Sequence, residues 1–256
     1  MLSRETSLDR RVALVTGASR KLGAVIATAL SHKGTRVVVN YNTSIAAAED
    51  LVQALRGEGG EAIAIQGDVS DPLAIARLVD QTLETFGGLD ILVNNTGPYT
   101  DASLADLPPD QWDWIMDTNL KAAYYASQLA YRYMRDQGWG RVVSISAGSA
   151  FVRNHSVYGL AKSALLALTE SLALEFAPQV TVNAVAPGLI DDPEVPAGIK
   201  EIARQDTPLH RLVTYQEVAN MVCLLCSPVF DTVTGQVIIM DGGQTIPRGM
   251  TFENIE

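Results

Sequence analysis

Only two cysteines and three histidines occur among 256 residues. Cys223 and Cys226 form a C-x-x-C within the apolar run Met221 to Cys226, which reads as the buried face of a helix. There is no second cysteine pair, and His32, His155 and His210 are scattered. A disulfide framework and a zinc site are therefore set aside, and no metal is expected. Positive charge is scarce too: 19 Lys and Arg against 29 Asp and Glu leave a net charge of −10. A nucleic-acid surface needs clustered Lys and Arg, so no nucleic-acid partner is expected, although a local set of donors can still hold an anion. No apolar run approaches the ~18 residues of a membrane span. Residues 1–11 are polar and charged, without the apolar stretch of a signal peptide. The expected location is the cytoplasm, with no membrane partner. What remains is an ordinary core-forming composition, 47% hydrophobic and 19% charged. A chain of this size buries roughly 72% of its unfolded surface.

Strand-like and helix-like patterns alternate along the chain. Apolar runs at Val12 to Thr16, Arg36 to Asn40, Ala62 to Gln66, Leu89 to Val93, Arg141 to Ile145, Val180 to Val185 and Gln236 to Met240 are separated by helical patterns. Asp71-Pro72 is a helix start, with Asp as cap and Pro in the first turn. A long helix is expected from about Pro108 to Gln137, and another from Ser156 to Phe176. Such alternation predicts an α/β fold: one doubly wound, Rossmann-like parallel sheet of about seven strands with helices on both faces. No linker or repeat divides it, so residues 1–256 read as one domain. Residues 1–10 are expected to form a flexible tail, and about 188–210, rich in Pro, a lid over the substrate with a short mobile helix.

Two local patterns carry chemistry. After the first strand comes Thr16-Gly17-Ala18-Ser19-Arg20-Lys21-Leu22-Gly23. A strand, a glycine turn and a helix N-terminus present free N–H groups and a positive dipole end to a pyrophosphate. Further on, Tyr158 and Lys162 stand four apart, one helical turn, on one face. A phenol is a poor acid near neutrality; an ammonium ~4 Å away at an effective dielectric of ~20 stabilises the phenolate by about 4 kcal/mol, roughly three pK units. Such a phenol can protonate an alkoxide formed as hydride reaches a carbonyl.

Together with Asn94-Asn95-Thr96-Gly97, Asn119, Pro187-Gly188 and Asp241-Gly242-Gly243, these patterns resemble the short-chain dehydrogenase/reductase family over about residues 10 to 246. The resemblance implies catalytic roles for Tyr158, Lys162 and Asn119, the last holding a proton-relaying water. It implies cofactor contacts from Gly17, Ser19, Arg20, Lys21, Leu22, Gly23, Asn40, Asn42, Ser44, Asp68, Val69, Asn95, Gly97, Tyr158, Lys162, Pro187 and Gly188. Lys21 stands where the family usually has Gly, a departure shared with its pteridine-reductase-like branch. The second strand ends in neutral Asn40-Tyr41-Asn42-Thr43-Ser44, where an Asp would bind the ribose 2′-OH and repel a phosphate. Arg20, Lys21, Asn42 and Ser44 are therefore assigned to a 2′-phosphate, and the cofactor is expected to be NADP(H) rather than NAD.

The family's serine is less clear. By strand register it falls on Ala147; by interval to Tyr158 it falls near Ile145 or Ser146. Ser146 is taken as the hydroxyl, with Ser149 or no residue as alternatives. Asp192 stands where a Thr is usual and cannot donate to the pyrophosphate. Tyr99 is the candidate to stack on a planar substrate, while Trp112 and Trp114 read as core or interface. The family's dimers and tetramers suggest a homo-oligomer, with Ala126, Leu129, Ala130, Leu165, Leu168 and Leu172 apolar at helical spacing. The leading expectation is NADPH-dependent reduction of a small ketone or 3-oxoacyl thioester. A pterin-like C=N reductase and a non-catalytic NADP(H)-binding sensor are the alternatives. Enoyl-thioester reductase relatives usually space Tyr and Lys by seven, which counts against that chemistry.

Overall fold

The structure, a computed structural model, describes residues 8–151 and 156–246. Most of the tail expected over 1–10 lies outside the described residues, but its end is anchored: Leu8 is buried in the core and the Arg10 amide donates to Gly34 O.

Seven parallel strands form one sheet in the order β3-β2-β1-β4-β5-β6-β7. They are β1 (Val12–Val15), β2 (Arg36–Tyr41), β3 (Ala62–Gln66), β4 (Ile91–Asn94), β5 (Gly140–Ile145), β6 (Val180–Pro187) and β7 (Val237–Met240). Side chains alternate across a strand. Ala13, Val15, Val37, Val39, Ile91 and Val93 thus feed one core, and Leu14, Val38, Leu92 and Val142 the other. The first core is covered by α1 (Lys21–Ser31), α2 (Ile45–Gly57) and α8 (Tyr215–Cys226); the second by α3 (Pro72–Phe86), α5 (Ala122–Gln137) and α6 (Val157–Phe176). Helix α4 (Pro109–Met116) leads into α5 through a π-helical turn, Asp117–Lys121, so the expected long helix is interrupted there. Helix α7 (Ala197–Asp206) lies in the expected lid segment and buries none of its residues.

Local chemistry sets the helix ends. Asp71 Oδ1 accepts the Leu73 amide (2.9 Å) with Pro72 behind it, and Thr214 and Glu217 form a reciprocal capping box on α8. Cys223 and Cys226 are free and buried on α8, as the apolar helix face predicts. By length and composition α6 is apolar enough to cross a membrane, but it packs on the sheet and carries the buried Lys162. The strand order reverses between β1 and β4, and ligands of such sheets bind at the carboxyl edge beside that switch point.

Candidate active site

The loop after β1 is cinched to the loop after β4. Thr16 Oγ1 accepts the amides of Asn95 (3.0 Å) and Thr96 (3.1 Å), while Asn95 Nδ2 donates to Thr16 O (2.9 Å) and Gly17 O (3.2 Å). A Cβ on Gly23 would come within 2.4 Å of Gly17 O, so only glycine lets α1 start this close to the turn. Helix α1 begins after Arg20 with no side-chain cap, leaving its first N–H groups free. They open on a cavity of about 660 Å³ along the carboxyl edge of the sheet. Gly17, Ser19, Arg20, Lys21, Leu22, Gly23, Asn40, Asn42, Ser44, Asp68, Val69, Asn95, Gly97, Ser146, Tyr158, Lys162, Pro187 and Gly188 all border it; Asn119 and Tyr99 do not.

Several of these side chains are already engaged. Asn40 is buried, accepts the Gly17 amide (3.1 Å) and donates to Gly67 O (3.0 Å), so like Asn95 it shapes the loop rather than offering a free amide. Asn42 donates to Asp68 (3.0 Å). Burial works against the Asp68 charge, but hydrogen bonds from Ser70 and Asn42 outweigh it and hold the carboxyl below its usual range. Among the described residues Arg20 makes no ion pair, and the Ser44 side chain makes no cap bond to α2. Lys21, expected on a phosphate, instead reaches the segment after β6: its ammonium lies 3.0 Å from Asp192 and 2.5 Å from Glu194.

At the other end, Tyr158 and Lys162 rise from the first turns of α6, which Ser156 caps through the Gly159 amide (3.1 Å). Lys162 Nζ donates to Ile145 O (2.9 Å) and sits 5.6 Å from the Tyr158 ring centre. The expected lowering of the phenol pKa is not what the protein alone produces. Burial first, then the Tyr99 phenol, push Tyr158 up to about 12, while burial pulls Lys162 down to about 8. Desolvation disfavours both charged forms.

Gly97 packs against both partners: a Cβ there would lie 2.6 Å from Asn119 Oδ1 and 2.7 Å from Lys162 Nζ. Asn119 sits in the π turn, and its Nδ2 donates to Ile115 O (3.0 Å) and Pro98 O (3.2 Å). Among the described residues its buried Oδ1 has no hydrogen-bond partner, nor has Thr96 Oγ1. Both residues, with Lys162, line a second, enclosed space of about 10 Å³, close to what one water needs.

A family profile described as Enoyl-(Acyl carrier protein) reductase matches residues 17–245, most of the chain. The chain is 37% identical over 255 residues to versicolorin reductase stcU of Emericella nidulans, covering 92% of this chain and 96% of that one. It is 36% identical over 245 residues to a 3-oxoacyl-[acyl-carrier-protein] reductase of Synechocystis sp., covering 94% and 99%. The chain belongs to the short-chain dehydrogenase/reductase family. A short-chain dehydrogenase from Burkholderia cenocepacia, solved in complex with NADP, superposes with a TM-score of 0.86 at 35% identity, covering 93% of this chain and 99% of that one.

Within this short-chain dehydrogenase/reductase, Ser146, Ala147 and Ser149 differ in what they offer the cavity. The Ser146 hydroxyl is buried and donates to the backbone carbonyl of Lys162 (3.1 Å), so it is already engaged with α6 at the cavity wall. Ala147 borders the cavity beside it, so the position that strand register gives to the serine has no hydroxyl. Ser149 Oγ is buried in the following short turn without a partner, outside the cavity wall. Tyr99 leaves the wall as well: its ring meets Tyr158 edge-on at 5.1 Å and is 63% exposed. Trp114, read as core or interface, is 48% exposed and borders the cavity with Thr118. Trp114 was missed because helical periodicity does not say which exposed face looks into a groove. Glu194 and Tyr215, also in the wall, carried no local sequence signal.

Proposed function

We propose that this NADP-dependent oxidoreductase transfers hydride from NADPH to a carbonyl, a small ketone or a 3-oxoacyl thioester, with Tyr158 as the general acid. The observation that carries the reading is one continuous cavity. The uncapped start of α1 borders one end and the Tyr158–Lys162 pair the other.

The residues fit a phosphorylated dinucleotide. Free N–H groups at α1 suit a pyrophosphate, and the β2 end is neutral, with the Ser44 hydroxyl making no cap bond and Arg20 making no ion pair among the described residues. NADPH supplies the hydride when bound. The chain supplies the proton: with its pKa near 12 the phenol of Tyr158 stays protonated through the physiological range. Lys162, buried and still largely charged at pH 7, faces the Tyr158 ring and stabilises phenolate as the proton leaves. The enclosed space at Thr96, Asn119 and Lys162 supports the assignment of a relay water to Asn119. The names of the relatives, versicolorin reductase and 3-oxoacyl-[acyl-carrier-protein] reductase, are in keeping with reduction as the direction.

Incubation with NADPH and a panel of 3-oxoacyl thioesters, diketones and dihydropterins tests this. Turnover of the thioesters or diketones supports the reading, and turnover of dihydropterins alone replaces it with the C=N alternative. Tight NADPH binding with no turnover on any of them favours the sensor. The C=N alternative draws on the exposed Tyr99 ring at the catalytic phenol.

The pH profile follows from the two shifts. kcat/KM reports groups of the free enzyme. It should be flat from about pH 6 to 7 and fall as pH rises through about 8, where Lys162 loses its charge; Tyr158, titrating near 12, adds no break below that. A profile that stays flat to pH 10 removes Lys162 from its role.

Ala147 implies that Tyr158 is the main donor to the substrate oxygen. One preorganised donor is worth about 10²-fold or more. The Ala147→Ser variant should therefore raise kcat by tenfold or more; unchanged steady-state kinetics would mean that the new hydroxyl does not reach the substrate.

We also assign self-association to the outer face of α5 and α6. Of the helical positions expected to serve it, Ala126, Ala130, Leu165 and Leu172 are buried, and Leu129 and Leu168 are half-buried against the second core. Leu160 and Leu174 on α6 and Tyr124 on α5 are exposed, and a homodimer or homotetramer would cover them.

A further inference from the structure

Lys21 breaks two local rules. It holds a positive φ of 51°, a backbone region that lysine rarely occupies, and it places a cation in the first turn of α1, where the helix dipole disfavours one. Violations of this kind gather at functional sites, where surrounding contacts over-determine them. The contacts here are specific. The Lys21 ammonium lies 3.0 Å from Asp192 Oδ2 and 2.5 Å from Glu194 Oε2. Asp192 is fixed: Tyr215 donates its hydroxyl to Oδ2 (2.5 Å), and the Glu194 amide donates to Oδ1 (2.8 Å). Tyr215 is the first residue of α8, a helix anchored by its capping box. Those donors hold the Asp192 carboxyl at about 2, so it stays ionised at every working pH.

The pair also joins distant parts of the groove. Lys21 follows β1 and Asp192 follows β6, three positions apart in the sheet, or about 14 Å at the usual strand spacing. Lys21, Glu194 and Tyr215 all border the cavity. The ammonium thus sits at the start of α1, paired to a fixed carboxylate from across the sheet.

We propose that Lys21 and Asp192 form a strap across the dinucleotide groove, in which Asp192 positions the Lys21 ammonium on the cofactor's phosphates and the pair sets how fast the cofactor leaves. Asp192 is a positioning residue, acting through Lys21, and Tyr215 is the post that holds it. The proposal rests on the groove's being the NADP site. The opposite reading of the same contacts is that Asp192 and Glu194 occupy Lys21 in competition with the phosphates.

Stopped-flow dissociation of NADPH from the full-length protein, followed by nicotinamide fluorescence, separates these. The strap predicts that Asp192→Asn and Lys21→Met each speed release about tenfold, with association changed by less than about threefold. The double variant should release no faster than Lys21→Met alone, because both changes break one unit. Tyr215→Phe, which keeps the ring and the carboxylate, should give a smaller increase in the same direction. Slower release from Asp192→Asn establishes competition and overturns the strap, as do unchanged rates or fully additive effects. Thermal melts of all four variants within a few degrees of the parent exclude misfolding as the cause. A parent protein that binds no NADPH defeats the cofactor reading itself, whereas a parent that binds while the variants release normally defeats only the strap.

Discussion

Replacing Lys162 with methionine is expected to stabilise the fold while removing catalysis. Lys162 is 3% exposed, and burial lowers its pKa from 10.5 to about 8. The folded state therefore binds its proton less tightly than the unfolded chain does. Below about pH 8 the group is charged in both states, and the full penalty of burying that charge opposes folding. The penalty fades as pH rises from about 8 to 10.5 and is gone above it. At 1.36 kcal/mol per unit it is roughly 3 kcal/mol at pH 7. Methionine has a similar length and no charge, but it leaves Ile145 O without the ammonium that now donates to it at 2.9 Å, a loss of about 1–2 kcal/mol. The net gain of about 1–2 kcal/mol corresponds to a Tm higher by several degrees. The gain should shrink when the melts are repeated near pH 10. Carbonyl reduction should fall by 10² or more. A variant that melts lower than the parent at pH 7 would show that Lys162 is paired well enough in the fold to offset its burial.

That expectation could not have come from sequence. The spacing of Tyr158 and Lys162 put them on one helical face, and they are there. Burial, which opposes the phenolate in the protein alone, was not legible, because it depends on α6 lying against the sheet and on Tyr99 arriving from the loop after β4. Strands were legible for the opposite reason: alternation and β-branched runs are properties of a few consecutive residues. The same holds for the glycine turn after β1 and for the cap at Asp71. Lys21 was legible as an anomaly but not in its partner, because Asp192 and Tyr215 meet it only through packing of α8 on α1. The Ser146 bond to Lys162 O was not legible, because interval counting says nothing about which way a hydroxyl turns at the end of a strand. Strand register, which follows the pleat, pointed to Ala147.

Tyr158→Phe is the second large effect. Phenylalanine keeps the ring that meets Tyr99 at 5.1 Å and the surface beside Lys162, and removes one hydroxyl. A positioned general acid contributes about 10²–10⁴ to rate, which is about 3–5 kcal/mol of barrier. Ala147 provides no second donor to the substrate oxygen, so the loss in kcat/KM should lie toward the upper end of that range. NADPH affinity, measured by fluorescence titration, should change by less than about threefold, because the α1 end of the groove is untouched. The melting temperature should hold or rise slightly, since the hydroxyl makes no hydrogen bond that the apolar ring gives up among the described residues. The contrast with Ala147→Ser is the sharper test. In the parent that serine adds a donor beside the acid, and its gain should collapse in the Tyr158→Phe background, because polarisation without a proton source leaves the alkoxide unneutralised. A Tyr158→Phe protein that retains a tenth or more of the parent kcat/KM would mean that the proton comes from elsewhere in the groove.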